Sequence, residues 1–240
     1  MAYRPGLRWP LLANATLHSR YEYSVCLDFT SFFPSIQPKD FIVALQTSNR
    51  GPVSDPVEQL LSRTLFARYP DGKMRLAIGA PSSPCIANVI MRSLDESFLA
   101  FARAQDAAYT RYADDLTFSA HSRAECRRFL QFVKETLAAC ESPRLRLNRQ
   151  KTRFQSVGGR RTITGLCVAG VNHVTIGRAR KRYYRRLIKD AIEGKLDDQA
   201  RLQLRGFLVF AASVEPAFIN QCILKYGANG MRDILPHRSV

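Results

Sequence analysis

The chain has 240 residues, 46% of them hydrophobic and 23% charged, a balance that is typical of a globular protein able to bury a substantial core. Lys and Arg total 36 against 20 Asp and Glu, and the formal net charge of +16 favours a polyanionic partner. Nucleic acid is the first candidate for that partner; a membrane surface is the second, but no long basic amphipathic helix with a fully apolar opposite face is evident.

The sequence carries no clear signal for a membrane or for export. The longest apolar run, 207–214, is far shorter than the ~20 residues of a membrane-spanning helix. Pro5 and Pro10 interrupt the N-terminal segment, whose apolar stretch is too short for a signal peptide. The six cysteines are scattered without a CxxC pair, which favours buried free thiols over a zinc site. We therefore expect a cytoplasmic protein without a membrane partner.

The first predicted element is a strand. Residues 23–27 form an apolar run that is typical of a buried strand, and the run ends at Asp28. Helical patches follow near 41–46 and 57–66. The segment 70–72, Pro-Asp-Gly, predicts a turn, because Pro presets its backbone angle and Gly accepts a positive φ.

The middle of the chain predicts a helix followed by a hairpin. Ser83 and Pro84 are typical of a helix start, and apolar residues then recur at helical spacing, which predicts a helix near 84–104. Residues 109–119 predict two short strands joined by a tight turn at 113–115.

Further along, Ser122 and Glu125 form a capping box in front of a predicted helix near 123–140. A β-like segment at 162–168 is flanked by glycines. From Gly177 the chain becomes helical and densely basic, so we place a domain boundary near residue 170. Two more helices are predicted, at 199–212 and 216–226.

Three carboxylates fall at predicted strand ends: Asp28 closes the first strand, and Asp114 and Asp115 lie in the hairpin turn. Phosphoryl transfer requires in-line geometry and neutralisation of charge, and two Mg²⁺ ions about 3.5–4 Å apart, held by carboxylates, supply both. Carboxylates from two neighbouring strands can bridge such a pair. An adjacent Asp pair in a turn is more often ordinary turn chemistry with solvated carboxylates, so the pair alone leaves both interpretations open.

The surrounding motifs resemble those of reverse transcriptases, in the order of that family. They are LDFTSFFPSI (27–36), GAPSSPCIAN (79–88), YADD (112–115), LNRQKT (147–152) and ITGLCV (163–168). Two further elements, NATLH (14–18) and TGL (164–166), match the retron type, in which an NAxxH motif precedes the first catalytic strand. The resemblance implies an RNA-directed DNA polymerase that copies part of a dedicated structured RNA, as bacterial retron enzymes do, many of them in phage defence.

The resemblance also implies the roles of individual residues at the site. Asp28, Asp114 and Asp115 would be catalytic and would ligate two Mg²⁺ ions, and the carbonyl of Phe29 would complete the metal site. Phe33 would stack below the sugar of the incoming nucleotide and exclude a 2′-OH, although plain core packing is the other interpretation of this ring.

Three more residues would bind the nucleotide. Gly79 and Ala80 belong to the loop that supports the template and the incoming dNTP. Lys151 would face the triphosphate and give a proton to the leaving pyrophosphate, or it would be an ordinary surface lysine.

RNA contacts are implied at two places. Asn14 and His18 belong to the NAxxH match, although a local hydrogen bond within a loop is the other interpretation. The basic helix would grip the duplex through phosphate contacts. Its predicted RNA-binding residues are Arg178, Arg180, Lys181, Arg182, Arg185 and Arg186.

The implied fold class is α+β: a right-hand polymerase palm, with helices packed on an antiparallel sheet, plus a helical thumb, with the fingers largely missing. We expect an NAxxH-containing lead-in and fingers remnant at 1–23, the palm at 24–170 and the thumb at 171–240. The chain departs from the family at two points. Only residues 1–13 precede the NAxxH match, where the family carries fingers, and Ile78 stands where the family often has Gln.

The expected partners are a structured RNA template, the RNA–DNA duplex, dNTPs and an effector protein. One alternative is a catalytically impaired, truncated relative that binds RNA without polymerising. Another is a phage-defence polymerase that makes DNA without a dedicated RNA template. The three aspartates favour the enzyme, because a protein freed from catalysis has no need for clustered acids in a chain of charge +16.

Overall fold

The structure is a computed structural model that describes residues 10–48, 51–232 and 234–235. The predicted lead-in and thumb each extend beyond these described residues at an end of the chain. The helices of the described residues are α1 (Pro10–His18), α2 (Phe32–Ser35), α3 (Pro38–Thr47), α4 (Asp55–Leu65), α5 (Ser83–Ile90), α6 (Arg92–Ala104), α7 (Arg123–Ala139), α8 (Arg178–Ile192), α9 (Asp198–Val214), α10 (Pro216–Tyr226) and α11 (Ala228–Arg232). Their strands are β1 (Tyr23–Asp28), β2 (Ala67–Arg68), β3 (Met74–Arg75), β4 (Ala108–Tyr112), β5 (Asp115–Ala120), β6 (Arg153–Ser156), β7 (Arg161–Ile163), β8 (Leu166–Gly170) and β9 (His173–Thr175). No helix in these ranges has the length and apolarity to cross a bilayer.

The central sheet is antiparallel, with its four strands in the order β4-β5-β1-β6. Because side chains alternate along a strand, the sheet has two distinct faces. Val25 and Leu27 of β1 and Phe118 of β5 lie on one face, in a large hydrophobic cluster with α6 and α7. Ser24 and Asp28 of β1 therefore lie on the opposite, more polar face.

Helix α7 begins at the capping box that the sequence predicts. The Glu125 N–H donates to Ser122 Oγ at 3.2 Å, and the Ser122 N–H donates to the Glu125 carboxylate at 2.8 Å. Buried Phe129 and Val133 follow on one side of the helix, and the Phe129 ring stacks on Phe118 with 4.2 Å between ring centroids. The cap and this apolar side fix α7 against the sheet.

One end of the polar face is covered by α1, and the contact is made by buried polar side chains. Thr110 of β4 donates to Asn14 Oδ1 at 2.7 Å. Its hydroxyl must then accept from His18 Nε2, which lies at 2.8 Å. Nδ1 of the neutral ring, in turn, accepts from Ser119 Oγ at 2.9 Å.

This hydrogen-bond chain continues to a buried arginine. Ser24 Oγ lies 2.8 Å from Ser119 Oγ, and Arg161 of β7 donates to Ser24 Oγ at 3.1 Å. Arg161 also donates to the backbone carbonyl of His18 at 2.9 Å. Each donor therefore points along the chain from Arg161 to Asn14, an arrangement in which each bond polarises the next.

A second hydrophobic cluster joins α1 to the C-terminal part of the chain. It includes Ala15 of α1, Leu166 of β8, and Ile188, Leu208 and Phe218 of α8, α9 and α10. Strands β7, β8 and β9 form an antiparallel sheet, in that order, at the edge of this cluster. The sheet crosses residue 170, where we placed a domain boundary; the proposed division of the chain stays a prediction.

The observed fold class is α+β with antiparallel sheets and helices packed on one sheet face, as predicted. The sequence does not predict α1, because its buried positions include polar Asn14 and His18 and no apolar period results. The helix expected near 84–104 is two helices, α5 and α6, which meet at Met91 (φ −76°, ψ −5°). The expected lack of fingers stays a prediction.

Burial of His18 makes the stability of the fold depend on pH. Burial, reinforced by the charge of Arg161, lowers the pKa of His18 from 6.5 to about 3. As the pH falls, His18 therefore takes up a proton in the unfolded chain before it does so in the folded protein. The free energy of unfolding is highest above pH 6.5 and decreases as the pH falls toward 3. Between pH 7 and 5 we expect a loss of about 2 kcal/mol in the free energy of unfolding.

Urea unfolding at a series of pH values checks this expectation. His18→Gln should be less stable at pH 7 but should show a flatter pH dependence than the wild type. The control is His173→Gln, because His173 is exposed in β9. Its replacement should leave the change of unfolding free energy with pH as it is in the wild type. Equal slopes for the wild type and His18→Gln would contradict the assignment.

Candidate active site

The register of β1 on β5 brings two of the three carboxylates together. Asp28, the last residue of β1, lies directly opposite Asp115, the first residue of β5. Both lie on the polar face, four residues along these strands from the Ser24–Ser119 pair beside α1. Asp114 precedes Asp115 in the turn between β4 and β5.

Asp28 is a buried carboxylate with one ionic partner. Nζ of Lys151 lies 3.1 Å from Asp28 Oδ2, and the Asn148 N–H donates to the Asp28 backbone carbonyl at 2.7 Å. Within the described part of the chain, the buried Oδ1 of Asp28 has no hydrogen-bond partner. A buried carboxylate oxygen without a partner is costly, so this atom is suited to a bound cation.

The three carboxylates carry like charges that repel one another. Asp115 is exposed at the surface, but partial desolvation raises its pKa, and the negative charges of Asp114 and Asp28 raise it further, whereas Arg153 and Lys151 lower it. The hydrogen bond to Asp28 raises the pKa of Lys151, which therefore stays protonated. The two cations reduce the repulsion without cancelling it.

The carbonyl of Phe29 faces the same end of the sheet. Phe29 forms an isolated antiparallel bridge with Leu147. The two hydrogen bonds of this bridge join the flanking residues, from Thr30 N to Arg146 O and from Asn148 N to Asp28 O. In such a pair the central residue directs its own N–H and C=O to the opposite side, and here that side carries β5 and Asp115.

These donors fit a hard divalent cation in their chemistry. Carboxylate and carbonyl oxygens are the ligands that Mg²⁺ prefers, and the unpartnered Oδ1 of Asp28 offers one of them. In residues 10–48, 51–232 and 234–235, no group of three His, Cys, Asp or Glu side chains is gathered closely enough to hold one ion as it stands. Metal binding would therefore need side-chain rearrangement, of which the release of Lys151 from Asp28 is the evident part.

A cleft of about 290 Å³ adjoins Asp115 and separates the central sheet from the β7–β8 turn. Cys26 and Thr117 line its sheet side, and Thr164 and Gly165 line the turn side. Thr164 has φ 45°, and among the described residues its buried hydroxyl lacks a hydrogen-bond partner. The site thus opens toward a polar, strained turn.

Comparison with known proteins decides the family. The family model described as reverse transcriptase (RNA-dependent DNA polymerase) matches residues 1–185. The chain belongs to the reverse transcriptase family. A solved structure of apo telomerase from Candida tropicalis aligns over 92% of this chain and 45% of that chain, with TM-score 0.47 and 12% identity.

Curated relatives of this reverse transcriptase include retron enzymes of Escherichia coli. The retron Ec83 reverse transcriptase is 36% identical over 227 residues, which cover 93% of this chain and 72% of that protein. The retron Ec73 reverse transcriptase is 33% identical over 226 residues, or 89% and 70% of the two chains. The predicted family, its retron type and the enzyme class of RNA-directed DNA polymerase are confirmed.

Of the four residues predicted to bind the nucleotide in this reverse transcriptase, Lys151 contacts the carboxylate of Asp28 directly. Phe33 of α2 is half-buried, and its ring meets Phe32 edge-on with 5.2 Å between centroids. The ring packs against the main hydrophobic cluster, and its partial exposure leaves room for a ligand contact. Core packing and nucleotide contact are therefore compatible, and the second role stays a prediction.

The loop before α5 offers backbone groups rather than side chains. Gly79 has φ 84°, and, its two chain neighbours aside, no atom of the described residues lies within 4 Å of the place that a Cβ would take. Ile78 is 74% exposed, and its apolar side chain cannot donate a hydrogen bond. Ala80 follows on the same loop, which is anchored where Ser83 Oγ donates to the Ala77 carbonyl at 2.6 Å. A ligand at this loop would meet the backbone of Gly79 and Ala80.

The structure divides the basic residues of α8 into two groups. Arg178, Arg182 and Arg186 recur at every fourth position and are exposed on one side of the helix. Arg186 also lies 3.7 Å from Asp190, one turn along the same helix. The other three have partners outside α8: Lys181 pairs with Glu215, Arg180 donates to the Gly165 carbonyl at 2.7 Å, and Arg185 donates to Gln221 at 3.2 Å. The exposed side is the part that can meet a phosphate backbone.

Asn14 and His18 do not reach the surface. Their exposed fractions are 5% and 0%, and both side chains bond within the protein. Burial therefore argues against the predicted direct contact with RNA, and the NAxxH segment instead fixes α1 on the sheet.

Several residues that shape the site escape prediction from the sequence. The Asn148 backbone N–H bonds to Asp28, although the LNRQKT match predicts a role only for Lys151, and Arg153, outside every quoted motif, lowers the pKa of Asp115. Arg111, which is fully buried beside the turn, did leave a signal. Period-two alternation places it on the same strand face as buried Tyr109, where an unpaired charge is not tolerated.

Repulsion among the carboxylates leads to a stability prediction. Partial desolvation and two neighbouring acids raise the pKa of Asp115, which means that its negative charge is unfavourable in the folded protein. Asp115→Asn removes this charge, so the variant should melt at a higher temperature than the wild type in metal-free buffer at pH 7. Added Mg²⁺ should raise the melting temperature of the wild type and leave that of Asp115→Asn nearly unchanged.

Differential scanning calorimetry, with and without Mg²⁺, checks both parts. Glu141→Gln is the matched control, because it removes one exposed acid after the end of α7 and should behave as the wild type. A lower melting temperature for Asp115→Asn, or an equal response to Mg²⁺, would contradict the assignment.

Proposed function

We propose that this reverse transcriptase copies a structured RNA into DNA by nucleotidyl transfer at two divalent cations. The observation that carries the proposal is the β1–β5 register, which places Asp28 opposite Asp115 beside the turn that holds Asp114. The unpartnered oxygen of Asp28 supports it, because a cation would supply the missing partner. The retron type of the relatives supports a structured RNA as the template.

In the proposed reaction, residues of the chain bind the cations, orient the nucleotide and neutralise the developing charge. Asp28, Asp114, Asp115 and the Phe29 carbonyl are the proposed oxygen ligands, and two Mg²⁺ ions, when bound, stabilise the charge on the attacking and leaving oxygens. Lys151 is protonated beside Asp28, so on leaving this carboxylate it can donate a proton to the pyrophosphate. Phe33 supports the sugar, and the backbone of Gly79 and Ala80 borders the nucleotide.

Binding of the RNA–DNA duplex is assigned to α8. Arg178, Arg182 and Arg186 present charge on one exposed side and can contact successive phosphates, which gives affinity that falls with salt. Helices α8–α11 would serve as the thumb, with the boundary near residue 170, and the small sheet β7–β9 would connect thumb and palm.

The biological setting belongs to the same proposal. A retron-type enzyme would act on its own RNA, with dNTPs as substrates and an effector protein as a further partner in phage defence. All six cysteines are free thiols, which fits a reducing compartment such as the cytoplasm.

Primer extension on an RNA template with Mg²⁺ and dNTPs tests the function. The wild type should extend the primer, and Asp114→Asn/Asp115→Asn should give no product above background, because two of the three side-chain ligands lose their charge. Asp197→Asn/Asp198→Asn is the matched control. It makes the same two replacements in a different Asp-Asp pair, at the start of α9, where Asn can also cap the helix. This variant should extend the primer as the wild type does.

If neither the wild type nor the site variant extends the primer, yet both bind structured RNA in a salt-sensitive way, the polymerase assignment is wrong for this chain. The RNA-binding alternative would then describe it better.

The proposed role of Phe33 predicts a change in sugar selection. Phe33→Val keeps an apolar contact with the core but removes the ring that would clash with a 2′-OH. We expect the preference for dNTPs over rNTPs in kcat/KM to fall by about 10-fold or more. Single-nucleotide incorporation kinetics measure this ratio; Phe132→Val, at a half-buried ring on α7, is the control and should keep the wild-type ratio. An unchanged ratio in Phe33→Val would assign the ring to core packing alone.

A further inference from the structure

Arg111 is a fully buried charged side chain of the palm, and it lies beside the catalytic turn. Its residue exposure is 0%, and it lies on β4, which β5 separates from the strand that ends at Asp28. A guanidinium in such a place is costly unless it is paired and fully hydrogen-bonded. The identity of its partners therefore indicates what the buried charge is retained for.

The partners of Arg111 come from three separate segments. Asp95 of α6 accepts a forked pair, from Nε to Oδ1 at 2.9 Å and from Nη2 to Oδ2 at 2.6 Å. Nη2 also donates to Asn88 Oδ1 of α5 at 3.2 Å. The remaining nitrogen, Nη1, donates to the backbone carbonyl of Ala113 at 2.9 Å.

The bond to Ala113 is the one that reaches the catalytic centre. Ala113 directly precedes Asp114 and has φ 54°, a backbone conformation that residues other than glycine rarely adopt. The carbonyl that Arg111 holds belongs to the peptide unit leading into Asp114, so its orientation sets where the Asp114–Asp115 backbone points. A strained turn of this kind persists only where its surroundings fix it.

Asp95 is itself held in place. Tyr109 Oη donates to Asp95 Oδ1 at 2.8 Å, and burial together with the Asp95 charge raises the pKa of Tyr109 well above its usual range. The carboxylate of Asp95 thus neutralises Arg111 and orients its fork. Arg111 consequently acts on the turn through geometry, while its charge is compensated on the helix side of the sheet.

We propose that Arg111 is a positioning residue, oriented by Asp95, that holds the turn carrying Asp114 and Asp115 in the geometry needed for cation binding and nucleotidyl transfer. This inference rests on the proposed function. Through Asn88, the same guanidinium also ties the turn to α5, the helix that follows the Gly79 loop.

The test separates positioning from stability. Tyr109→Phe/Arg111→Met/Asp95→Leu removes the buried ion pair and the tyrosine hydroxyl that bonds to it, and apolar replacement of a buried ion pair commonly preserves stability. We expect a melting temperature close to that of the wild type, kcat lower by about 10–100-fold, and a Mn²⁺ affinity weaker by a similar factor. The KM for dNTP should change little, because the loop and Phe33 are untouched.

Arg111→Lys and Arg161→Lys are the second, matched pair of variants. Both replace a fully buried arginine, but Arg161 donates to the carbonyls of Tyr21 and His18 and has no contact with the turn. Both variants should lose stability, and only Arg111→Lys should lose kcat and Mn²⁺ affinity. Equal losses of kcat in the two variants would overturn the proposal.

Electron paramagnetic resonance of bound Mn²⁺ keeps this test independent of polymerisation. If the wild type fails to extend a primer, the proposed function fails, but the Mn²⁺ affinities still decide the role of Arg111. Weaker binding in the folded triple variant supports positioning. Wild-type affinity in that variant, or wild-type kcat, shows that the network is structural only and overturns the inference.

Discussion

The pairing of β1 with β5 places two acidic residues opposite each other at one end of the central sheet, and much of the structure holds them there. Asp28 and Asp115 face each other across the ladder, with Asp114 in the adjoining turn. Partial desolvation and mutual repulsion raise the pKa of Asp115, so the site is electrostatically unfavourable without a cation. A hydrophobic cluster on the other face of the sheet fixes the register, because a slip of one residue would expose Val25 and Leu27.

Buried arginines lie on both faces of the central sheet. Arg111 lies on the helix side and binds the Ala113 carbonyl, whereas Arg161 lies on the polar side and reaches α1 through Ser24 and the carbonyl of His18. Each brings a cost of desolvation that apolar residues would avoid. Their shared property is the ability to reach backbone carbonyls of separate segments from one rigid, planar group. The fold accepts this cost where backbone direction matters for the site.

Much of the chemistry could be predicted from the sequence, because it depends on local patterns. A strand ending at Asp28, a turn holding Asp114 and Asp115, and the capping box at Ser122 follow from residue order and short-range spacing. Long-range partners could not be predicted in this way. His18 lies far from Ser119 in sequence and Asp95 lies on a different element from Arg111, so only the fold shows that these side chains meet. The burial of Asn14 and His18 depends on such long-range contacts as well, so the NAxxH motif alone does not indicate it.

The central claim is that the register of β1 and β5 builds a cation site at Asp28 and Asp115. The most direct measurement is a crystal structure with Mn²⁺, an RNA–DNA primer–template and a non-hydrolysable dNTP, with the ions located by anomalous scattering. The account predicts Mn²⁺ bound to both aspartates, with Lys151 moved from Asp28 toward the triphosphate. Mn²⁺ absent from both carboxylates, with the Lys151–Asp28 pair intact beside a bound dNTP, would contradict it.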